Sequence, residues 1–310
     1  MEYFYTKLPV ATVSEMINAF KSGYFLVKMR NDDAKEMYKE LYNTDHTADK
    51  FTQYAYCYLV FKTKDTSNYN YALSLLTLLT MDGFAPAYNL IGNAYYYGTG
   101  YNVNKESALH YYMKGHNANF MIATVNCALH YLDLKDYANF KKYLEIGVSK
   151  GYPVAYYIKA EALLYGANGY DQNELTAAYL LKKGVDLGEE KCQYLLGVCH
   201  DGGYGCTKID HHAALKLYEQ AAEYEHSNSM LAAANHYFSG KYIPQNLYKA
   251  FYYYEKASNL GNKTAMAMNG MLYMEGFGCT KNPEKGIELI RKSAAAGNEL
   301  GIKFLNGLNK

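Results

Sequence analysis

Residues 203–208 read GYGCTK, and residues 276–281 repeat this segment as GFGCTK. Each copy precedes a stretch with helical spacing of apolar residues, which carries a small residue at the same place, Ala214 and Gly286. The two copies lie two periods of about 36 residues apart, and repeats of this length are typical of stacked helical units. We therefore expect an all-α fold in which each unit packs only on its neighbours.

Two series of residues, one for each helix of a unit, run along the chain in step. The spacings within them lie in the thirties, apart from one of 30 and one of 40. Chance alignment of two such series is improbable, so each unit is expected to contain two helices. The first helices are anchored at Gln53, Ala87, Ala123, Ala155, Cys192, Met230 and Ala265, with a partial copy from Gly301, and the second helices at Ala72, Ala108, Ala138, Ala178, Ala214, Ala250 and Gly286.

One position within the first helices is kept small in most units. It holds Gly92, Gly197 and Gly270, and in other copies alanine. A missing side chain lets two helices approach closely, and a large residue there would overpack the pair. Asn235 departs from this pattern, so we expect the unit that starts at Met230 to pack more loosely. The alanines are Ala128 and Ala160.

The order of these features resembles the Sel-one-like repeat (SLR) family, which is related to the tetratricopeptide repeat. The features are an alanine, a Leu-Gly pair, an aromatic residue, a G-x-G loop, a second helix and a Gly-Asn ending such as 297–298. The match is good at 87–120, 196–205 and 265–298 and weaker at 123–154 and 155–191, where the glycine loop is replaced or lengthened. It implies an α/α solenoid, a right-handed superhelix of about seven helix pairs whose first helices line a concave face.

The resemblance covers residues 51–310 and suggests three segments. Residues 1–50 are expected to form an N-terminal helical cap, with helices over 13–21 and 33–42 and Ser14 as an N-cap. A partner-binding arm is the alternative for this segment. The solenoid follows over 51–300, with a closing helix over 301–310. Its units are expected near 53–86, 87–122, 123–154, 155–191, 192–229, 230–264 and 265–300.

Composition argues against several kinds of partner. The net charge is +1, and only Arg30 and Arg291 of the 31 basic residues are arginine, which disfavours nucleic-acid binding. We see no apolar run long enough for a membrane span and no secretory signal. Six cysteines without a signal indicate a reducing, cytoplasmic setting. The 37 tyrosines reflect either an A+T-rich genome or an adhesive surface.

The densest Cys/His cluster comprises three thiols and three imidazoles in residues 192–212. Cys192 and Cys199 are two helical turns apart, too far to share one ion, so we favour packing over zinc binding. A disulfide between Cys199 and Cys206 is a third reading, for an exported protein. His130 is expected to be a satisfied buried side chain. We predict no catalytic residues, no cofactor and no metal. The cluster consists of Cys192, Cys199, Cys206, His200, His211 and His212.

The remaining candidates for function are side chains of the first helices that packing does not require. Tyrosine is enriched at binding hot spots, and asparagine can hold an extended peptide backbone. We therefore predict a non-catalytic adaptor that binds a protein or peptide partner along the concave face. The alternatives are a small-ligand or carbohydrate-binding protein, or a secreted effector that uses the same groove on a host protein. The candidate residues are Tyr88, Asn89, Asn93, Tyr156, Tyr157, Tyr194, His236 and Met271.

Overall fold

The computed structural model describes residues 8–25, 27–205 and 208–308. They contain 17 α-helices, a short 3₁₀ turn and one pair of two-residue strands. Two compact units, Met1–Glu189 and Glu190–Lys310, are described separately below. Within each unit the helices follow one another in packed pairs, as expected for helical repeats.

The first unit contains ten helices. The strands β1 (Leu8–Pro9) and β2 (Val27–Lys28) pair in parallel around the first helix. The helices are α1 (Val13–Lys21), α2 (Asn31–Tyr42), α3 (Lys50–Thr63), α4 (Tyr69–Met81), α5 (Ala85–Tyr97), α6 (Lys105–Asn117), α7 (Met121–Asp133), α8 (Tyr137–Ser149), α9 (Pro153–Tyr165) and α10 (Glu174–Asp186).

The second unit contains seven helices and has its own core around α12–α15. The helices are α11 (Glu190–Gly202), α12 (His211–Ala222), α13 (Ser227–Ser239), α14 (Leu247–Asn259), α15 (Lys263–Glu275), α16 (Pro283–Ala295) and α17 (Glu299–Leu308).

The N-cap of helix α1 lies two residues before the one that the sequence suggested. Thr12, not Ser14, is the N-cap, and its side chain accepts a hydrogen bond from the backbone N–H of Glu15. The Glu15 carboxylate accepts the Thr12 N–H in return, which completes a capping box. Expecting an N-cap at Ser14 was therefore wrong, because the pair Thr12 and Glu15 satisfies two N-terminal donors at once. The division into cap, solenoid and closing helix stays a prediction.

A short polar side chain caps the N-terminus of the second helix in each pair from α5–α6 to α15–α16. In each case Asn or Asp accepts a hydrogen bond from the backbone N–H three residues later, which satisfies an otherwise unpaired donor. Gly-Asn endings connect the units: Gly261 adopts a left-handed φ of 85° after α14, and Asn262 caps α15. The Gly-Asn ending seen in the sequence is therefore a left-handed helix end. The six caps of the second helices are Asn104, Asp136, Asn173, Asp210, Asn246 and Asn282.

The second-helix series needs two corrections of register. The fourth residue of α8 is the fully buried Phe140, whereas Ala138 is exposed. The fourth residue of α10 is Ala177, one place before Ala178. With Phe140 and Ala177 in the series, the spacings of 30 and 40 disappear. They arose because α8 has phenylalanine where the other second helices have alanine or glycine.

The first-helix series slips by one residue in α13. Its third residue is Ser229, which is fully buried, and Met230 is the fourth. Its eighth residue is therefore Ala234, also fully buried, at the small position that Gly197 and Gly270 occupy in α11 and α15. Asn235 lies one place further on and is exposed. The expectation that Asn235 loosens this unit was therefore wrong.

Two equivalent contacts join successive repeats in the second unit. The Tyr237 hydroxyl donates to Oε1 of Glu219 at 2.7 Å, and Nζ of Lys249 donates to the same hydroxyl at 2.7 Å. One repeat later, Tyr273 donates to Oε1 of Glu255 at 2.7 Å and accepts from Lys285. The glutamate belongs to one helix pair, and the tyrosine and lysine belong to the next. We call this arrangement the Glu–Tyr–Lys junction.

Candidate functional site

A hydrogen-bonded polar group of the first unit joins α5, α6 and α7. Nδ2 of Asn126 donates to Oδ1 of Asn89 at 2.7 Å and reaches Oδ1 of Asn93 at 3.5 Å. The Tyr112 hydroxyl also donates to Oδ1 of Asn93, at 2.8 Å. Asn89 is only 4% exposed, whereas Asn93 and Asn126 are partly exposed. The expected exposure of Asn89 was therefore wrong, because its amide bonds within the helix layer.

The tyrosines of the first unit differ in how much surface they offer. Tyr156 is buried at 8% exposure, so the expectation that it is exposed was also wrong. Tyr157 is partly exposed, and its hydroxyl donates to Oε1 of Glu161 at 2.6 Å. Tyr88 is partly exposed and donates to the carbonyl of Thr80 at 2.9 Å. Tyr88 and Tyr157 therefore have free surface on one side and a fixed hydroxyl on the other.

In the second unit, His236 is part of a cluster centred on Asp201. Nε2 of His236 and Nδ1 of His211 each lie 2.9 Å from a carboxylate oxygen of Asp201. The Tyr218 hydroxyl donates to Oδ2 at 2.9 Å. Burial would raise the pKa of Asp201, but hydrogen bonds from His236, His211 and Tyr218 outweigh it and lower the pKa. The ring of Tyr242 stacks on that of His211, with the two ring centroids 3.7 Å apart.

The Asp201 cluster has a structural consequence that sequence reasoning missed. The His236 side chain is 12% exposed and is turned toward the carboxylate, so little of it is available to a partner. His236 is the tenth residue of α13, whereas Asn93 and Met271 are ninth in their helices. The matching residue is Asn235, which is exposed and accepts a hydrogen bond from Tyr254 at 2.7 Å. The predicted register of α13 was one residue too late, and His236 was therefore chosen in place of Asn235.

The other two candidates of the second unit pack partly against neighbours. Tyr194 lies with its ring 5.1 Å from that of His226, and burial raises its pKa. Met271 is partly buried against the core around α12–α15. No signal in the sequence pointed to Asn126 or Asp201. Their partners lie on other helices, and Asn89 and His236 are 37 and 35 residues away from them.

The buried thiols fit packing rather than chemistry. Cys192 and Cys199 are fully buried on α11, and Cys57 and Cys127 are fully buried on α3 and α7. Burial raises the pKa of the Cys127 thiol to about 12, which disfavours a reactive thiolate. Within 8–25, 27–205 and 208–308, no three His, Cys, Asp or Glu side chains form a group suited to a metal ion. Cys206 and its proposed pairing lie outside the described residues.

His130 is buried, but one of its two ring nitrogens has no hydrogen-bond partner among the described residues. Its side chain is 4% exposed, so the expected burial is confirmed. Its Nδ1 has no hydrogen-bond partner among the described residues, so the expectation of a satisfied side chain was wrong for that atom. Burial lowers the pKa of His130, which favours the neutral ring.

Comparison with known proteins agrees with the helix-pair geometry. The family model of the Sel1 repeat matches residues 85–115, 153–189, 190–223, 227–262 and 264–298, more than half of the chain. The chain belongs to the Sel1 repeat family. The pairs α3–α4 and α7–α8 lie outside the matched segments, in line with their missing loop glycines.

Two solved Sel1 repeat structures share this fold. A Sel1 repeat protein from Oxalobacter formigenes has 24% sequence identity and a TM-score of 0.60, covering 76% of this chain and 96% of its own. The protective antigen c5321 of uropathogenic Escherichia coli, described as displaying an SLR fold, has 21% identity and a TM-score of 0.60, covering 87% and 59%. The predicted α/α solenoid is confirmed, while its right-handed superhelix stays a prediction.

A curated relative covers a shorter stretch. Chitin synthase regulatory factor 4 of Schizosaccharomyces pombe is 30% identical over 135 residues, which is 43% of this chain. The match spans only about a fifth of that protein. Sel1 repeats commonly serve as non-catalytic scaffolds for protein interactions. No helix of the described residues is both long and apolar enough to cross a membrane.

Proposed function

We propose that this Sel1 repeat protein is a non-catalytic adaptor that binds a protein partner with the free side of its first helices. The observation that carries the proposal is the alternation at two adjacent positions. The eighth residue of each first helix from α5 to α15 is small and buried, whereas the ninth side chain is at least partly exposed. In the first unit the ninth residues of α5, α7 and α9 are Asn93, Leu129 and Glu161; in the second, those of α11, α13 and α15 are Val198, Asn235 and Met271.

This composition suits recognition of a polypeptide. The free positions mix apolar, amide and acidic side chains, and Tyr157 adds an aromatic surface beside Glu161. The first helices expose these side chains at regular intervals, so a partner can contact several helix pairs at once. The relative called a chitin synthase regulatory factor is compatible with action on another protein.

The test is affinity capture of the tagged chain from its native cells, followed by mass spectrometry. One variant carries Leu129→Lys and Tyr157→Lys on the first helices. A matched variant carries Leu175→Lys and Tyr179→Lys on α10, where both side chains are more than half exposed. We expect a partner that the first variant loses and the second retains, with circular dichroism confirming that both fold. Equal recovery by both variants would contradict the proposal.

A further inference from the structure

A pocket of about 540 Å³ lies in the first unit between the end of α3, the start of α4 and α5. Its floor contains Leu90 and Ala94, which are nearly fully buried. Phe61 and Tyr69 form one wall, with ring centroids 5.5 Å apart. Tyr97, which is 71% exposed, stands at the mouth. The pocket is therefore apolar inside and large enough for one aromatic or branched side chain.

The rim of this pocket is positively charged. Lys62 and Lys64 both line it and are exposed, and no carboxylate is among the lining residues. Neither lysine has an ion-pair partner within the part of the chain that the structure describes. Asp65, the neighbour of Lys64, instead accepts hydrogen bonds from Ser67, Tyr38 and Asn68. These bonds lower the pKa of Asp65 and fix its carboxylate within its own turn.

The backbone of Lys64 is left-handed, as is that of Lys135 in the same unit. Lys64 is the C-cap of α3 and adopts a left-handed φ of 60°. Four other first helices have glycine as C-cap in this conformation, including Gly98 after α5 and Gly276 after α15. A residue with a Cβ is strained in this geometry, whereas glycine adopts it readily. Lysine at this position is less stable than glycine would be, and its side chain places a cation at the pocket rim.

Two carboxamides connect the pocket to α7: Asn93 lines the pocket, and Asn126 of α7 is hydrogen-bonded to it. Oδ1 of Asn93 accepts from both Tyr112 and Asn126, so its NH₂ group is left without an acceptor in the described chain. Nδ2 of Asn126 is used by Asn89 and Asn93, so its Oδ1 is left as an acceptor. One free donor beside one free acceptor matches the C=O and N–H of an extended backbone. This pairing distinguishes a peptide from a small anion.

We propose that the pocket binds an extended acidic peptide segment of a partner protein, with one aromatic or aliphatic side chain inside and carboxylates at Lys62 and Lys64. The segment continues over α5, where Asn93 and Asn126 bond its backbone. This inference rests on the proposed adaptor function and assigns the chemistry of the partner. Charge complementarity sets the choice of an acidic segment, because Lys62 and Lys64 are the charged side chains among the lining residues and no carboxylate lies beside them there.

The test measures binding of a fluorescein-labelled probe by fluorescence anisotropy with the full chain. The probe is a short Gly/Ser peptide with one Phe flanked by Asp residues. We expect saturable binding that weakens with added salt and is lost when Phe becomes Gly or Asp becomes Lys. The double variant Lys62→Gln/Lys64→Gln should weaken binding on the order of fivefold to tenfold, as expected for two exposed ion pairs.

A matched control removes the same charge elsewhere in the first unit. Lys135 also has a left-handed φ, of 58°, and Lys150 is exposed; neither lines the pocket. The variant Lys135→Gln/Lys150→Gln should bind the probe as the unmodified chain does. Equal weakening by both double variants, or no dependence on Phe, would overturn the pocket proposal.

The two proposals can fail separately. If the chain captures a partner through Leu129 and Tyr157 but the acidic probe does not bind, the adaptor function stands and the pocket assignment is wrong. If the chain captures no partner and the probe does not bind, both are wrong. If the pocket instead binds a small molecule, an aromatic carboxylate will raise the melting temperature of the chain and the peptide probe will not bind. That result would overturn the peptide proposal.

Discussion

At the scale of single residues, the contact between α15 and α16 depends on the absence of a side chain. A Cβ added at Gly270 would lie 2.7 Å from the carbonyl oxygen of Gly286 and 2.7 Å from Cγ1 of Ile290. Backbone cannot yield as a flexible side chain can, so α15 and α16 would have to separate. The same contact fixes the distance between the two helices of this repeat.

We expect Gly270→Ala to lower the free energy of unfolding by about 1–3 kcal/mol, as for other overpacked contacts. Urea unfolding followed by far-ultraviolet circular dichroism measures this change. The control is Gly307→Ala on α17, where an added Cβ meets nothing within 4 Å. That substitution should leave stability unchanged or raise it by up to about 1 kcal/mol, because alanine favours helix. Equal losses in both variants would contradict the steric argument.

Asp201 shows how one carboxylate can join three helices. It accepts hydrogen bonds from side chains of α12 and α13 while lying on α11. We expect Asp201→Asn to cost about 2 kcal/mol of unfolding free energy at pH 7, since hydrogen bonds to a charged group are lost. An exposed carboxylate, Asp171, provides the control substitution Asp171→Asn, which should have little effect.

The effect of Asp201 should depend on pH in a defined direction. Its folded-state pKa lies below the ordinary value, so the ionised carboxylate stabilises the fold above about pH 4. That stabilisation is lost as pH falls through the lowered pKa. The difference in unfolding free energy between the unmodified chain and Asp201→Asn should therefore shrink below about pH 4. A difference that stays constant down to pH 2 would contradict this assignment.

At the scale of helices, the Glu–Tyr–Lys junction links each pair to the next in the second unit. We expect Tyr273→Phe to lower the unfolding free energy by about 1 kcal/mol, because the hydroxyl joins Glu255 and Lys285. Tyr248→Phe is the matched control, since Tyr248 is 78% exposed. Unfolding by urea measures both. Identical midpoints for the two variants would show that the junction contributes nothing.

The helices themselves could be predicted well from the sequence, since period and turn glycines are local signals. The predicted helix over 13–21 has the bounds of α1, and the one over 33–42 differs from α2 only by two residues at its start. The register within α13 could not be predicted. Its third residue is a serine, and Met230 beside it looked like the apolar anchor.

The candidate site was predictable only in part for the same reason. Asn93 and Tyr157 are partly exposed, as expected, and their role in binding stays a prediction. Asn89 and Tyr156 were placed at the surface wrongly, since both side chains are buried, and Asn89 is hydrogen-bonded to Asn126 of the next helix pair. Lys62 and Lys64 carry no repeat signal, and only the structure brings them beside Asn93.

At the scale of the molecule, the second unit contains three complete matched repeats, 190–223, 227–262 and 264–298. Three repeats are about the minimum that buries a continuous core in such arrays. We therefore expect residues 190–310 to fold as an isolated fragment, with helical circular dichroism and a cooperative thermal transition. A fragment that is disordered at room temperature would show that this unit depends on residues 1–189.

The Glu–Tyr–Lys junction also bears on how such a chain can change in length. Residues 237–272 contain the tyrosine and lysine of one junction and the glutamate of the next. Copying the corresponding segment of the gene in tandem would therefore create a new boundary with the same three partners as the old ones. The equivalent position in α16 holds Arg291, so a copy inserted after it would lack the glutamate. Duplication of a repeat by unequal recombination therefore keeps a complete Glu–Tyr–Lys junction inside the array. A repeat added after α16 would lack the glutamate of its junction.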